Sequence, residues 1–200
     1  MNALTQSIAI RGVDLSDRLV MPPMASGKPN PDGTVSDSLV EYYKEKSQGG
    51  YLGLVITEHA FVCQQGKAHG GQLSIAREED IPGLRRLADA IHNNGVKAVA
   101  QISHAGGAAN PQDTGMEPVS ASAVQSPRAK AGAAPPSGYD SGGNPSGGGS
   151  LCPGRLPGAG SRFRWGGAPR RPRVFAEPVL LPPDQPSDRC LYQRHFSGAA

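Results

Sequence analysis

No apolar stretch in this chain is long enough to cross a membrane. The amino-terminal MNALTQSIAIRGVDLSDR has no basic segment followed by an apolar run, so no signal peptide is expected either. Charge is scarce: 18% of residues are charged and the formal net charge is +3, too small a balance to mark a nucleic-acid-binding protein. There are three cysteines, Cys63, Cys152 and Cys190, and they share no metal-ligand spacing. An odd number leaves one thiol over in any intramolecular disulfide scheme, so a reduced, cytoplasmic setting is expected, with Cys63 an ordinary loop thiol. The dinucleotide fingerprint G-x-G-x-x-G is missing after the first strand. From position 135 onward lysine is absent altogether. What the chain has in excess is Gly (27) and Pro (19), unevenly spread over 200 residues, a length that suffices for one domain with a sizeable core.

The ordered-looking part reads as alternating strands and helices. Ile8 to Val13 alternates and predicts a short strand capping one end of the domain. Leu19-Val20-Met21 is a compact apolar strand that Pro22-Pro23 must stop, because proline donates nothing to a sheet ladder. A turn-rich loop follows, and Ser36 then caps a helix carrying Leu39, Tyr42 and Tyr43, which ends at Gly49-Gly50. Tyr51 to Val62, YLGLVITEHAFV, has the continuous apolar centre of a strand buried on both faces and ends in Thr57, Glu58 and His59. Glu78 to Asn94 is an amphipathic helix with Ile81, Leu84, Leu87, Ala88 and Ile91 on one face and Gly95 as its stop. Lys97 to Ser103 is the next strand, breaking from Ala98–Ala100 into Gln101, Ser103, His104 and two glycines. The order β-α-β-α-β predicts parallel strands with right-handed crossovers, the beginning of a (β/α)8 barrel or a doubly wound sheet. The missing glycine fingerprint counts against the latter. In either fold, ligands sit at the carboxyl ends of the strands.

Four motifs occur in order: RLVMPPM, DGTVSDSLVEYY, GLVITEHAFV and DIPGLRRLADAIHNNGVKAVAQISHAGG. Together they resemble the Old Yellow Enzyme family of FMN-dependent NAD(P)H:flavin oxidoreductases and ene-reductases, over roughly residues 8 to 134. The resemblance implies an α/β fold, the first three β/α units of an FMN-binding (β/α)8 (TIM) barrel. It also implies hydride passing from NAD(P)H to flavin and on to a small-molecule acceptor such as an activated alkene. Pro22, Pro23, Met24 and Ala25 match the loop lying along the flavin, His59 the strand end approaching the isoalloxazine, and Gln101 the glutamine that bonds the pyrimidine edge. An amide suits that edge because it offers a donor and an acceptor together. No catalytic residue and no metal ligand is carried over. The sequence departs from the family at Ala25, where many relatives carry Cys or Thr, and at Gly107, where relatives often have Arg. Taken singly, each residue also has a structural reading. Pro22-Pro23 terminates a strand, His59 and His104 serve as loop histidines, Gln101 satisfies backbone groups, and Glu58 is either a site group or a buried acceptor.

Residues 135–200 change character. They are crowded with Gly, Pro, Ser and Arg, have one short apolar run at Val179–Leu181, and read as a low-complexity, disordered tail following the domain at 1–134. A sharper expectation is translation out of frame. Back-translation leaves third bases free but fixes most first and second ones. Pro169 to Arg189, read one base later, becomes HGAHGYLLNQFYSPLTNRRT, the family's histidine-pair strand end and following loop. The same shift from Pro136 yields RAGMTQEEIHQVVEAFA, an amphipathic helix with a capping box where the fold requires its third helix. The chain is then the amino-terminal part of a flavin oxidoreductase, inactive as it stands, with no nucleic-acid or membrane partner and with intact relatives that are often oligomeric. The alternative is a non-catalytic protein whose Arg-rich tail, PRRPR at Pro169–Arg173, binds a polyanion or an acidic partner.

Overall fold

The structure, a computed structural model of the chain, describes residues 3–10, 12–125 and 135–138, together with the backbone of 178–181. Where one capping strand is predicted, the chain forms a hairpin. Ile8–Ile10 (β1) pairs antiparallel with Val13–Leu15 (β2), Ile8 opposite Leu15. The reason is Gly12, whose φ of 79° reverses the chain inside what the alternation alone presents as one run.

The domain is built on a parallel sheet. Val20–Met21 (β3) pairs with Leu54–Phe61 (β4), which pairs in turn with Lys97–Ser103 (β6). Leu73–Ser74 (β5) adds a short parallel pairing to the carboxyl end of β4, an element the sequence reading does not contain. Asp37–Ser47 (α1) and Ile81–His92 (α2) are the crossovers. Ser36 caps α1, its Oγ accepting the Leu39 amide proton at 3.0 Å and so satisfying one of the orphan donors of the first turn. Ahead of α2 the predicted first turn, Glu78–Asp80, is a 3-10 turn, with Pro82 admitted because the amide it lacks lies in the first turn.

Spacing by three and four places Leu39, Tyr43 and Ser47 of α1 on the buried face, and Leu84, Leu87, Ala88 and Ile91 of α2 likewise. The apolar ones among them meet Val55, Ala98 and Ala100 from the sheet, and Val96 just before β6, in one cluster. The helices also touch through polar groups. Asn94 Nδ2 donates to the Lys44 carbonyl at 2.9 Å and to Ser47 Oγ at 2.8 Å, tying the end of α2 to the end of α1.

After β6 come the short helix Pro111–Thr114 (α3) and Val119–Ser120 (β7), which pairs parallel with Ser137–Gly138 (β8). Pro178–Leu181 (β9) pairs antiparallel with β6, Ala98 opposite Leu181 and Gln101 opposite Pro178. A (β/α)8 barrel accepts only parallel neighbours, so β9 occupies the edge of β6 without continuing the barrel. Apart from these two short strands, the expected low-complexity tail lies outside the described residues, as does PRRPR. Cys63, expected to be an ordinary thiol, is disulfide-bonded; Cys152 and Cys190, the remaining cysteines, lie outside the described residues. Among the described residues no helix is long and apolar enough to cross a membrane.

Candidate functional site

The carboxyl ends of β3, β4 and β6 lie side by side, because the three strands are adjacent and parallel. The predicted residues are therefore gathered at one rim of the sheet. Pro22, Pro23, Met24 and Ala25 lead away from β3, His59 lies in β4 and Gln101 in β6.

The β4–β6 ladder has one irregularity, and it falls at this rim. Thr57 lies opposite Ala100 and Ala60 opposite Ile102, so Glu58 and His59 together face the single residue Gln101. A bulge of this kind bends the strand and re-aims its side chains. Glu58 is buried, whereas His59 and Gln101 remain half-exposed.

The three polar groups differ sharply in how they are satisfied. The Glu58 carboxylate accepts the Ser26 amide proton at 3.3 Å and the Ser26 hydroxyl, and the Glu58 amide donates to Tyr43 Oη at 2.7 Å. Burial pushes the Glu58 carboxyl above the usual range, opposed by the two Ser26 hydrogen bonds and by the charge of His69. Tyr43, wholly buried, is pushed upward by burial too and stays a phenol. His59 instead meets another imidazole, the ring of His69, edge to face at 5.6 Å between centroids. Burial first, then His69, lowers its pKa, which keeps it neutral at neutral pH. Neither the His59 ring nor the Gln101 amide makes a hydrogen bond to any described residue.

Around them the rim is fixed. Gln72, fully buried in the loop before β5, donates to Ser103 Oγ at 2.9 Å and to the His59 carbonyl at 3.4 Å, and accepts the Ala68 amide proton at 2.7 Å. One side chain thus joins β4, β6 and their intervening loop. His104 accepts the Gly106 amide proton on Nδ1 at 3.0 Å, while its Nε2 is buried without a partner among the described residues. Any side chain at Gly66 would run into that ring. Met24 is 59% exposed, and Pro22 and Ala25 are exposed beside it, so this loop presents apolar atoms outward.

Glu58 and Gln72 are the residues that sequence reasoning leaves undecided or misses. The partners of Glu58 lie 32 and 15 positions away. Gln72 sits in a glycine-rich loop with no pattern to mark it. A surface groove between α1 and α2, lined by Val40, Lys44, Pro82, Arg86 and Asp89 among others, contains none of the site residues. Among the described residues no group of three or more His, Cys, Asp or Glu side chains is placed to hold a metal ion.

An incomplete (β/α)8 barrel with a polar rim at its strand ends is the class that fold and site define. The chain belongs to the NADH:flavin oxidoreductase / NADH oxidase family, whose sequence profile matches residues 3–137. It is 41% identical over 118 residues to the NADH:fumarate oxidoreductase of Klebsiella pneumoniae (strain 342), covering 58% of this chain and 12% of that one. It is 45% identical over 114 residues to the NADH:acrylate oxidoreductase of Vibrio harveyi, covering 56% and 11%. Among solved structures, the Old Yellow Enzyme homologue from Zymomonas mobilis is 25% identical with a TM-score of 0.60, covering 70% of this chain and 38% of that one. The chain therefore spans only a small part of the length of these proteins.

Proposed function

We propose that residues up to about 134 are the first half of an FMN site whose second half is encoded out of frame, and that the intact protein is an FMN-dependent NAD(P)H oxidoreductase. The observation that carries the flavin reading is the free amide of Gln101. It sits opposite a bulge at the rim and keeps a donor and an acceptor with no partner among the described residues, whereas the Gln72 amide and the Ser103 hydroxyl nearby are both engaged. A flavin pyrimidine edge presents the complementary acceptor and donor.

In this reading Gln101 holds that edge, and the exposed apolar loop Pro22, Pro23, Met24 and Ala25 lies along the ring. His59 closes the side at the end of β4 and stays neutral, so it offers a donor without adding charge. FMN, when bound, supplies the hydride chemistry, accepting from NAD(P)H and donating to an activated alkene. The chain's own contribution is to orient the ring and shield it from water. The relatives named for fumarate and acrylate make an unsaturated carboxylate the first substrate class to try.

In this reading the third helix and the histidine-pair strand end are encoded one base out of frame between Pro136 and Arg189 and are not translated. The 200-residue chain is therefore expected not to hold FMN. Deleting one base between codons 130 and 140 should yield a yellow protein with stoichiometric FMN and fumarate- or acrylate-dependent NAD(P)H oxidation, and Gln101→Leu in that background should weaken FMN binding by at least tenfold. Stoichiometric flavin on the 200-residue chain, or none on the frame-restored one, would overturn the reading.

A further inference from the structure

One buried residue at this rim is left unused by the flavin reading. Glu58 is 3% exposed. Its carboxylate takes both hydrogen-bond donors of Ser26, the amide at 3.3 Å and the hydroxyl, across 32 positions of sequence. Its own amide is held by Tyr43 Oη at 2.7 Å, and Tyr43 is wholly buried in the core on α1. Three elements therefore converge on one residue: helix α1, the bulge of β4, and the loop that follows β3.

That loop needs an anchor. Pro22 and Pro23 cannot donate to a ladder, and Pro22, Met24 and Ala25 are exposed. Ser26 is the first residue after them with a bond into the body of the domain, and both of its donors go to the same carboxylate oxygen. Beyond Ser26 the chain is held locally, the Lys28 amide donating to Ser26 Oγ at 3.2 Å and Ser36 Oγ donating to the Lys28 carbonyl at 2.5 Å. A charged acceptor buried among apolar groups is costly, and a bond to it is correspondingly stronger than a neutral one. A serine tether on a surface loop would need no buried carboxylate unless the loop's position mattered.

We infer that Glu58 is a positioning residue that latches the Pro22–Ser26 loop to the bulge beside His59, so that the loop and the end of β4 present one rigid surface to a planar ligand. This rests on the flavin reading for the identity of the ligand but not for the latch itself. Because the bulge sets Glu58 and His59 side by side on consecutive residues, a shift of the loop and a shift of His59 are coupled through a single peptide.

The test is amide hydrogen exchange, followed by mass spectrometry, in the 200-residue chain and in the frame-restored chain. Variants are Glu58→Ala, Glu58→Gln, Ser26→Ala and the double Ser26→Ala/Glu58→Ala. In Glu58→Ala, exchange at Ser26 and in the 22–28 segment should rise at least tenfold while β6 keeps its protection. Ser26→Ala, a half-exposed change with no reason to unfold the domain, should loosen the same segment, and the double variant should add little to either single change. Glu58→Gln, which retains an acceptor oxygen, should restore most of the protection. Unchanged exchange in 22–28 on Glu58→Ala, loss of protection throughout the sheet, additive single effects, or no rescue by Gln would each overturn the latch. Absence of FMN from every frame-restored variant, with the exchange pattern intact, would instead count against the flavin reading and leave the latch standing. With flavin bound, Glu58→Ala should raise the FMN dissociation constant and Glu58→Gln should not.

Discussion

At Glu58 two demands compete, and the balance has a measurable sign. Burial favours the neutral acid, while the Ser26 hydrogen bonds and the charge of His69 favour the carboxylate; Tyr43 meets the backbone amide on the α1 side. Burial wins, so the folded pKa lies above the unfolded one. Such a group contributes stability that is complete below about pH 4.3, the ordinary glutamate value, and is lost as pH rises through the raised value. Glu58→Gln has no proton to lose. Its denaturant midpoint in the frame-restored protein should match the parent at about pH 4, exceed it increasingly as pH rises, and level off once the raised folded pKa is passed. A difference that is constant with pH would show that Glu58 does not titrate across that window. In the sequence Gln101 and His59 stand where apolar strands break into polar groups, and the family resemblance makes them candidates for the site. The sequence leaves Glu58 open because burial and a partner 32 positions away are not local properties, and the bulge that separates Glu58 from His59 leaves no trace in the residue pattern.

Among the elements, the helices were the most legible and their contributions are the easiest to rank. Ser36 and the 3.6-residue spacing of Leu39, Tyr43, Leu84, Leu87 and Ile91 mark start and face together. The ion pair between Arg86 and Asp37, 2.9 Å long with side chains 52% and 94% exposed, joins the same two helices but lies in water. Chemical denaturation of the frame-restored chain should separate these effects. Leu87→Ala, at a position 1% exposed, should cost about 2–5 kcal/mol. Ser36→Ala should cost about 1 kcal/mol, and Arg86→Ala no more than about 1 kcal/mol. An Arg86 effect as large as that of Leu87 would mean the helix pair is held by charge rather than by packing. The elements that escaped notice are short ones. β5, β7 and β8 are two residues each, too brief for any period to register; β5 pairs with the end of β4, and β7 and β8 pair with each other. The β1–β2 hairpin escaped for a different reason, since a single glycine at positive φ splits an otherwise continuous run.

For the whole molecule, the decisive property is that a parallel sheet buried by helices has to close or be capped. In the described fold β3 ends the sheet on one side, and on the other β6 meets β9, an antiparallel strand of four residues around the chain's last apolar run. An uncapped strand edge is a template for pairing with another chain. The tail's composition gave no reason to expect a strand there, since only Val179–Leu181 is apolar and glycine and proline surround it. What the segment pairs with is the open edge of β6, where a (β/α)8 barrel would carry its next parallel strand. A stop codon after Gly138 removes β9 while leaving every residue of the rim in place. By light scattering across a concentration series, the shortened chain should self-associate at lower concentration than the 200-residue chain, and a polar, edge-blocking change such as Val99→Lys in the shortened chain should not rescue it, because Val99 is 2% exposed and belongs to the core. Identical association of the two lengths would mean that β9 does not protect the edge of β6, and that the sheet's exposed side at β3 governs its assembly.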